Sequence, residues 1–140
     1  MRTHVEDTLN GSEFFPLQEP DASLSCHMFR GVAVIELRGP LTEERSVHAL
    51  YDAVRELLEE GARNFAINLA QVPAADSYTL GALAGAYNLV RQAGGRIKFF
   101  AAPEKLIRAF RKFHLDNVLE LYANEELAIP TYNSSGFTRQ

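Results

Sequence analysis

Asp76 and Ser77 are the adjacent pair whose residue types and position could do chemistry. They stand in the stretch Ala74-Ala75-Asp76-Ser77-Tyr78-Thr79-Leu80-Gly81, between an apolar run (Phe65 to Leu69) and a long segment of helical character reaching Ala93. That order predicts a strand, a short loop containing Pro73, and a helix opened by the Asp-Ser pair. Both residue types cap helix N-termini, because their side-chain oxygens accept the free amides of the first turn. The same geometry carries a serine hydroxyl to an exposed corner, where the helix amides would also face a phosphate. Plain capping and a modifiable serine are both open readings of these residues.

The helix that follows has two faces. Leu80, Leu83, Ala84, Tyr87 and Val90 form an apolar stripe, while Ser77, Gly81 and Gly85 recur at spacing four with Ala82 and Ala86 beside them. Glycine in a helix interior costs roughly 1 kcal/mol relative to alanine, so something must offset two of them. Close approach of another backbone is the usual reason. Tight packing inside the domain and a smooth docking surface starting at Ser77 both satisfy it.

Other candidate chemistry is thin. Cys26 and His27 are adjacent, but a ligand pair or dyad needs further partners, and ordinary strand positions account for both. The one cysteine excludes an intrachain disulfide and a cysteine-based zinc site. No glycine-rich phosphate loop, metal-ligand cluster or His-Asp-Ser constellation is visible, and His114 is far from Ser77 in sequence. The expectation is therefore no catalytic residues, no metal and no cofactor. Lys105, Arg108, Arg111 and Lys112 form the concentrated basic patch, read as a solvated helix face with an acidic partner as the sharper alternative.

The elements that must position Ser77 follow from pattern. At 140 residues, 46% hydrophobic and 23% charged, the chain has the length and composition of one soluble domain with a real core. Its net charge of -4 argues against a nucleic-acid binder. The N-terminus has no apolar signal region, and no apolar run approaches the roughly 20 residues of a membrane span, so a cytoplasmic protein is expected. Residues 1–22 read as a flexible arm with Phe14-Phe15 as its apolar pair, 23–129 as the domain, and 130–140 as a flexible tail.

Within the domain, Ser23 to Phe29 alternates and Val32 to Arg38 is a second strand; Arg30-Gly31 makes them an antiparallel hairpin. Thr42 is a candidate cap for a helix whose apolar face is Val47, Leu50, Tyr51, Val54, Leu57 and Leu58, stopped by Gly61. After the Asp-Ser helix come Gly94-Gly95 and a strand from Arg96. A helix placed by Pro103 then turns Leu106, Ile107, Phe110 and Phe113 inward. Val118 to Tyr122 reads as a last strand, and Asn124 as the cap of Glu125 to Ile129. The order β-β-α-β-α-β-α-β-α predicts an α/β domain with a mixed, mostly parallel sheet, an N-terminal antiparallel hairpin strand and crossover helices.

From Leu24 to Ile129 this ordered set resembles the STAS domain, the fold of bacterial anti-sigma-factor antagonists. The resemblance is carried by Leu37-Arg38-Gly39-Pro40-Leu41, Asn68-Leu69, Asp76-Ser77 with Leu80-Gly81, and Gly94-Gly95. Leu121-Tyr122 followed by Asn124-Glu125-Glu126-Leu127-Ala128 completes it. Tyr78 and Thr79 occupy places where the family commonly carries Ser or Thr and then Gly, and Thr42 stands where an acid is common. The resemblance implies that Ser77 is a phosphorylated switch, with Thr79 as the alternative acceptor. It also implies a partner surface of Asp76, Ser77, Tyr78, Thr79, Gly81, Ala82, Gly85 and Thr42.

The implied role is partner switching that controls transcription. The unmodified protein binds an anti-sigma factor that is also a serine kinase of the histidine-kinase-like ATPase type. Phosphorylation ends the binding and a serine phosphatase resets it; homodimerisation is compatible with the same fold. The other reading is a STAS scaffold or a subunit associated with an ABC transporter, making a constitutive contact without phosphorylation. Neither reading is that of an enzyme.

Overall fold

The computed structural model describes residues 13–16, 23–39, 41, 44–73 and 76–130. Strands β1 (Glu13–Pro16), β2 (Ser23–Phe29), β3 (Val32–Arg38), β4 (Asn64–Gln71), β5 (Arg96–Phe100) and β6 (Glu120–Tyr122) form one sheet in that order. β1–β2 and β2–β3 are antiparallel; β3–β4, β4–β5 and β5–β6 are parallel. Helices α1 (Glu44–Glu59), α2 (Ser77–Gln92) and α3 (Glu104–Lys112) are the crossovers, with a 3₁₀ turn at Leu115–Asn117 and a closing helical segment over 125–130.

The hairpin forms where expected. Arg30 (φ 53°) and Gly31 (φ 80°) are both left-handed, the backbone that a two-residue turn between twisted strands requires. Successive parallel strands add in one direction, so right-handed crossovers place all three helices on one face of the sheet. That face holds the main core: Leu24, Ile35 and Leu37 with Phe65, Ile67 and Phe99, covered by Leu50 and Val54 of α1, Leu83 and Val90 of α2, and Phe110 of α3. The opposite face buries Val32, Val34, Ala66 and Phe100 against Ala128 and Ile129 of the closing segment. Asn124 caps that segment, its Oδ1 accepting from Leu127 N at 2.9 Å.

Three elements differ from the expectation. Glu13–Pro16, read as part of a loose arm, is a strand paired with β2, so the hairpin strand is not the sheet edge. Four residues give too short a stretch for alternation to show, while aromatic residues favour the extended backbone. Phe113, expected inward, follows the end of α3 and is 52% exposed, because a left-handed His114 (φ 61°) turns the chain into the 3₁₀ segment. Val118 lies in that turn rather than in a strand, its amide donating to Leu115 O at 2.9 Å, and β6 begins only at Glu120.

On the second face, Lys98 of β5 is buried to 1% exposure. Its Nζ lies 3.7 Å from Glu120 and 5.2 Å from the centre of the Tyr122 ring. Glu120 also meets Arg96 at 3.3 Å and accepts from Tyr122 Oη at 3.1 Å. Burial pushes the Lys98 ammonium below the ordinary lysine range, and Glu120 partly restores it.

Candidate functional site

The site is the N-terminus of α2. Asp76 has extended backbone, and its Oδ1 accepts from Thr79 N at 2.8 Å, while Leu80 N donates to Asp76 O at 3.1 Å to start the helix. Ser77 is thus the first helical residue, directly after the cap, and it is exposed. The amides of Ser77 and Tyr78 have no acceptor within the helix, a consequence of first-turn geometry. They provide donors and the positive end of the helix dipole beside the Ser77 hydroxyl, which would favour a phosphoryl group held there. Tyr78 is also exposed, at 42%.

Thr79 is set apart. It is fully buried, and its Oγ1 is the one buried side-chain polar atom without a hydrogen-bond partner among the described residues. Of the two hydroxyls named as phosphate acceptors, Ser77 is thus the exposed one and Thr79 the buried one. The helix is rotated relative to the expected stripe. Thr79, Leu80, Ala82, Leu83, Ala86 and Val90 are buried, whereas Ala84 and Tyr87 are only partly so. Ala82, expected on a partner surface, therefore belongs to the core.

The two glycines separate. A Cβ at Gly85 would collide with Tyr51 Oη and lie 2.7 Å from Tyr51 Cζ, so Gly85 lets α1 approach α2. Tyr51 Oη donates to Ala82 O at 3.1 Å across the same contact. Burial pushes the Tyr51 phenol up, with Arg55 opposing and Tyr78 adding to the rise. A Cβ at Gly81 would meet nothing within 4 Å. Gly85 is thus internal packing, and Gly81 is open surface one turn below Ser77. Thr42 lies outside the described residues, as do Ala74 and Ala75.

Gly81 lies in an open groove of about 260 Å³ lined by Ser77, Leu80, Gly81, Ala84, Phe113 and Leu115. Sequence reasoning missed Tyr51 and Phe113 as members of this neighbourhood. Both carried only an apolar-face signal, and neither periodicity tells which residue of another helix stands opposite. Among the described residues no group of three or more His, Cys, Asp or Glu is placed to hold a metal ion. No described helix is long and apolar enough to cross a membrane.

Residues 26–128 match the sequence model of the STAS domain, most of the chain and the whole of the site just described. The chain belongs to the STAS domain family. A search of curated proteins finds no match to the sequence. Solved structures share the fold. An anti-sigma factor antagonist from Mycobacterium paratuberculosis is 22% identical with a TM-score of 0.70, covering 84% of this chain and 100% of that one. The Bacillus cell fate determinant SpoIIAA in its phosphorylated form is 22% identical with a TM-score of 0.59, covering 76% and 96%. A sulfate transporter family protein from Wolinella succinogenes is 17% identical with a TM-score of 0.60, covering 76% and 88%. At these identities the likeness is one of STAS fold, and function must be argued from the site.

Proposed function

We propose that this STAS domain is a non-enzymatic regulatory module of the anti-sigma-factor antagonist kind, switched by phosphorylation of Ser77. The observation that carries the reading is an exposed serine on the first turn of α2, directly after its cap, with an open glycine one turn below. In the unmodified state Ser77, Tyr78 and Gly81 form the contact, and the partner is an anti-sigma factor with serine kinase activity. A phosphate adds nearly two negative charges to that contact beside Asp76. The folded protein tolerates the charge because the helix N-terminus favours it. The interface does not, since the charge must be desolvated against the partner. A serine phosphatase restores the binding state, and the cycle reports to transcription.

Of the residues expected on the partner surface, Asp76, Ser77, Tyr78 and Gly81 are the described ones with exposed positions. The test is capture of the candidate kinase by wild type, Ser77→Ala and Ser77→Asp, with mass spectrometry of protein incubated with kinase and ATP. Expected are phosphate on Ser77, retained binding by Ser77→Ala, and loss of binding by Ser77→Asp with an unchanged circular dichroism spectrum. No phosphate, with Ser77→Asp binding at wild-type affinity, refutes the switch. That outcome leaves the constitutive scaffold or transporter-associated reading, which the exposed ring of Tyr78 beside Ser77 favours as a permanent contact.

A further inference from the structure

The β2–β3 turn holds an arginine where the backbone does not favour one. Arg30 is left-handed at φ 53°, a conformation that Asn, Asp and Gly adopt at less cost than a long side chain. Its guanidinium lies over the Phe29 ring, 5.1 Å from the centre, and that ring is itself 41% exposed. The tip of the hairpin thus presents an aromatic side chain with a cation upon it. Both residues line an open groove of about 320 Å³ whose remaining lining is Glu125, Glu126, Ile129 and Pro130 of the closing segment.

The charges belong to the lining itself, one cation from the hairpin tip and two carboxylates from the closing segment. None of Arg30, Glu125 and Glu126 is in an ion pair within the described residues, so opposite charges share one groove without meeting. Its occupant must offer an apolar group to Phe29 and Ile129, a cation to the glutamates and an acid to Arg30. A second copy of the chain offers all three from this same surface. In a two-fold contact residue i meets j and j meets i, so the hairpin tip of each copy meets the closing segment of the other.

We propose that this surface joins two copies of the chain. Phe29 of each copy sits in the other's groove, and Arg30 pairs there with Glu125 and Glu126. The contact lies where β3 begins, whereas Ser77 follows the far end of β4, which runs parallel to β3. The pairing therefore does not rest on reading Ser77 as a switch, and it leaves Ser77 clear of the interface. So small a surface fits a weak, reversible dimer rather than an obligate one.

Sedimentation velocity of the full chain from about 5 μM to about 500 μM should show a monomer passing reversibly into a dimer. Amide shifts at Phe29, Arg30, Glu126 and Ile129 should grow over the same range while those of Ser77 and Gly81 stay fixed. Phe29→Ser should weaken association by about tenfold or more. Charge exchange gives the sharpest test. Arg30→Glu alone, and Glu125→Lys with Glu126→Lys, should each leave a monomer, because like charges then meet in both halves of the contact. An equimolar mixture of the two should associate, since each brings the charges that the other lacks. Circular dichroism melting checks that every variant folds; should the double lysine variant unfold, Phe29→Ser and Arg30→Glu still decide.

A monomer at every concentration overturns the proposal. So does a dimer that Phe29→Ser or Arg30→Glu leaves unchanged, or a mixture of folded charge variants that fails to associate. Two other occupants are read in the same spectra. If no dimer forms and Phe137→Ser in the full chain moves the Phe29 and Arg30 amides, the groove belongs to the chain's own end and the proposal falls. If no dimer forms and a synthetic peptide of phenylalanine flanked by lysines shifts those amides, the groove belongs to a different protein and the proposal falls equally.

Discussion

Alanine at Gly81 and alanine at Gly85 should move stability in opposite directions, although both replace a glycine on the same helix one turn apart. Each gains about 1 kcal/mol of helix propensity. At Gly81 nothing opposes the gain, because the new methyl meets no atom within 4 Å. Gly81→Ala should therefore stabilise by about 1 kcal/mol. At Gly85 the methyl collides with Tyr51 Oη, and Cζ at 2.7 Å leaves the ring no room to stay. Moving the ring breaks its 3.1 Å bond to Ala82 O, worth about 1 kcal/mol, and strains the α1–α2 contact by about 1–3 kcal/mol. Setting the propensity gain against these costs, Gly85→Ala should destabilise by about 1–3 kcal/mol.

Urea unfolding followed by circular dichroism reads both changes as shifts of the midpoint at constant slope. In a Tyr51→Phe background, which lacks the colliding oxygen, Gly85→Ala should cost about 1 kcal/mol less. If Gly85→Ala stabilises as much as Gly81→Ala, or the Tyr51→Phe background makes no difference, then the Tyr51 contact is not what selects glycine at 85.

Three further substitutions test the frame around the site. Leu83→Ala removes a fully buried side chain facing the sheet and should lower stability by about 2–5 kcal/mol in the same urea assay. Asp76→Ala removes the acceptor of the Thr79 amide and should cost about 1 kcal/mol, with Asp76→Asn close to wild type. Lys98 holds its proton less tightly folded than unfolded, so the unfolded chain binds more protons and stability rises with pH toward the ordinary value of 10.5. Lys98→Met should flatten that rise on the approach to the ordinary lysine value, as measured by urea midpoints across a pH series.

What could be read in the sequence was what depends on neighbours along the chain. The Arg30-Gly31 turn, the Asp76 cap and the Asn124 cap each need only a few consecutive residues, and the structure bears them out. The parallel sheet followed from the alternation of strands and helices, because crossover handedness is a general property of L-amino acids. What could not be read depends on how one helix meets another. Two glycines at spacing four look alike until Tyr51, more than thirty positions earlier, is found against one of them. Thr79 is polar and looked like surface, but the rotation of α2 is set by the summed burial of Leu80, Leu83 and Val90, which carries Thr79 inward with them. Likewise Lys98 alternates with apolar neighbours as an outward residue would, and its burial rests on groups from elsewhere in the chain, among them Glu120 and the Tyr122 ring of the adjacent strand.

The sheet's strand order repeats the order of the chain. No strand has to be threaded between two that are already paired, so assembly can proceed by addition at one growing edge. Each parallel addition closes a loop of only one crossover, so no parallel pairing has to wait for a more distant part of the chain. During synthesis from the N-terminus, each new strand would find its docking edge already made. The last to arrive is β6, and it carries Glu120. Until then Lys98 stands on the open edge strand, where its ammonium can remain hydrated. Its desolvation and the docking of its counter-ion fall in the same step, so the folding chain need not bury that charge alone.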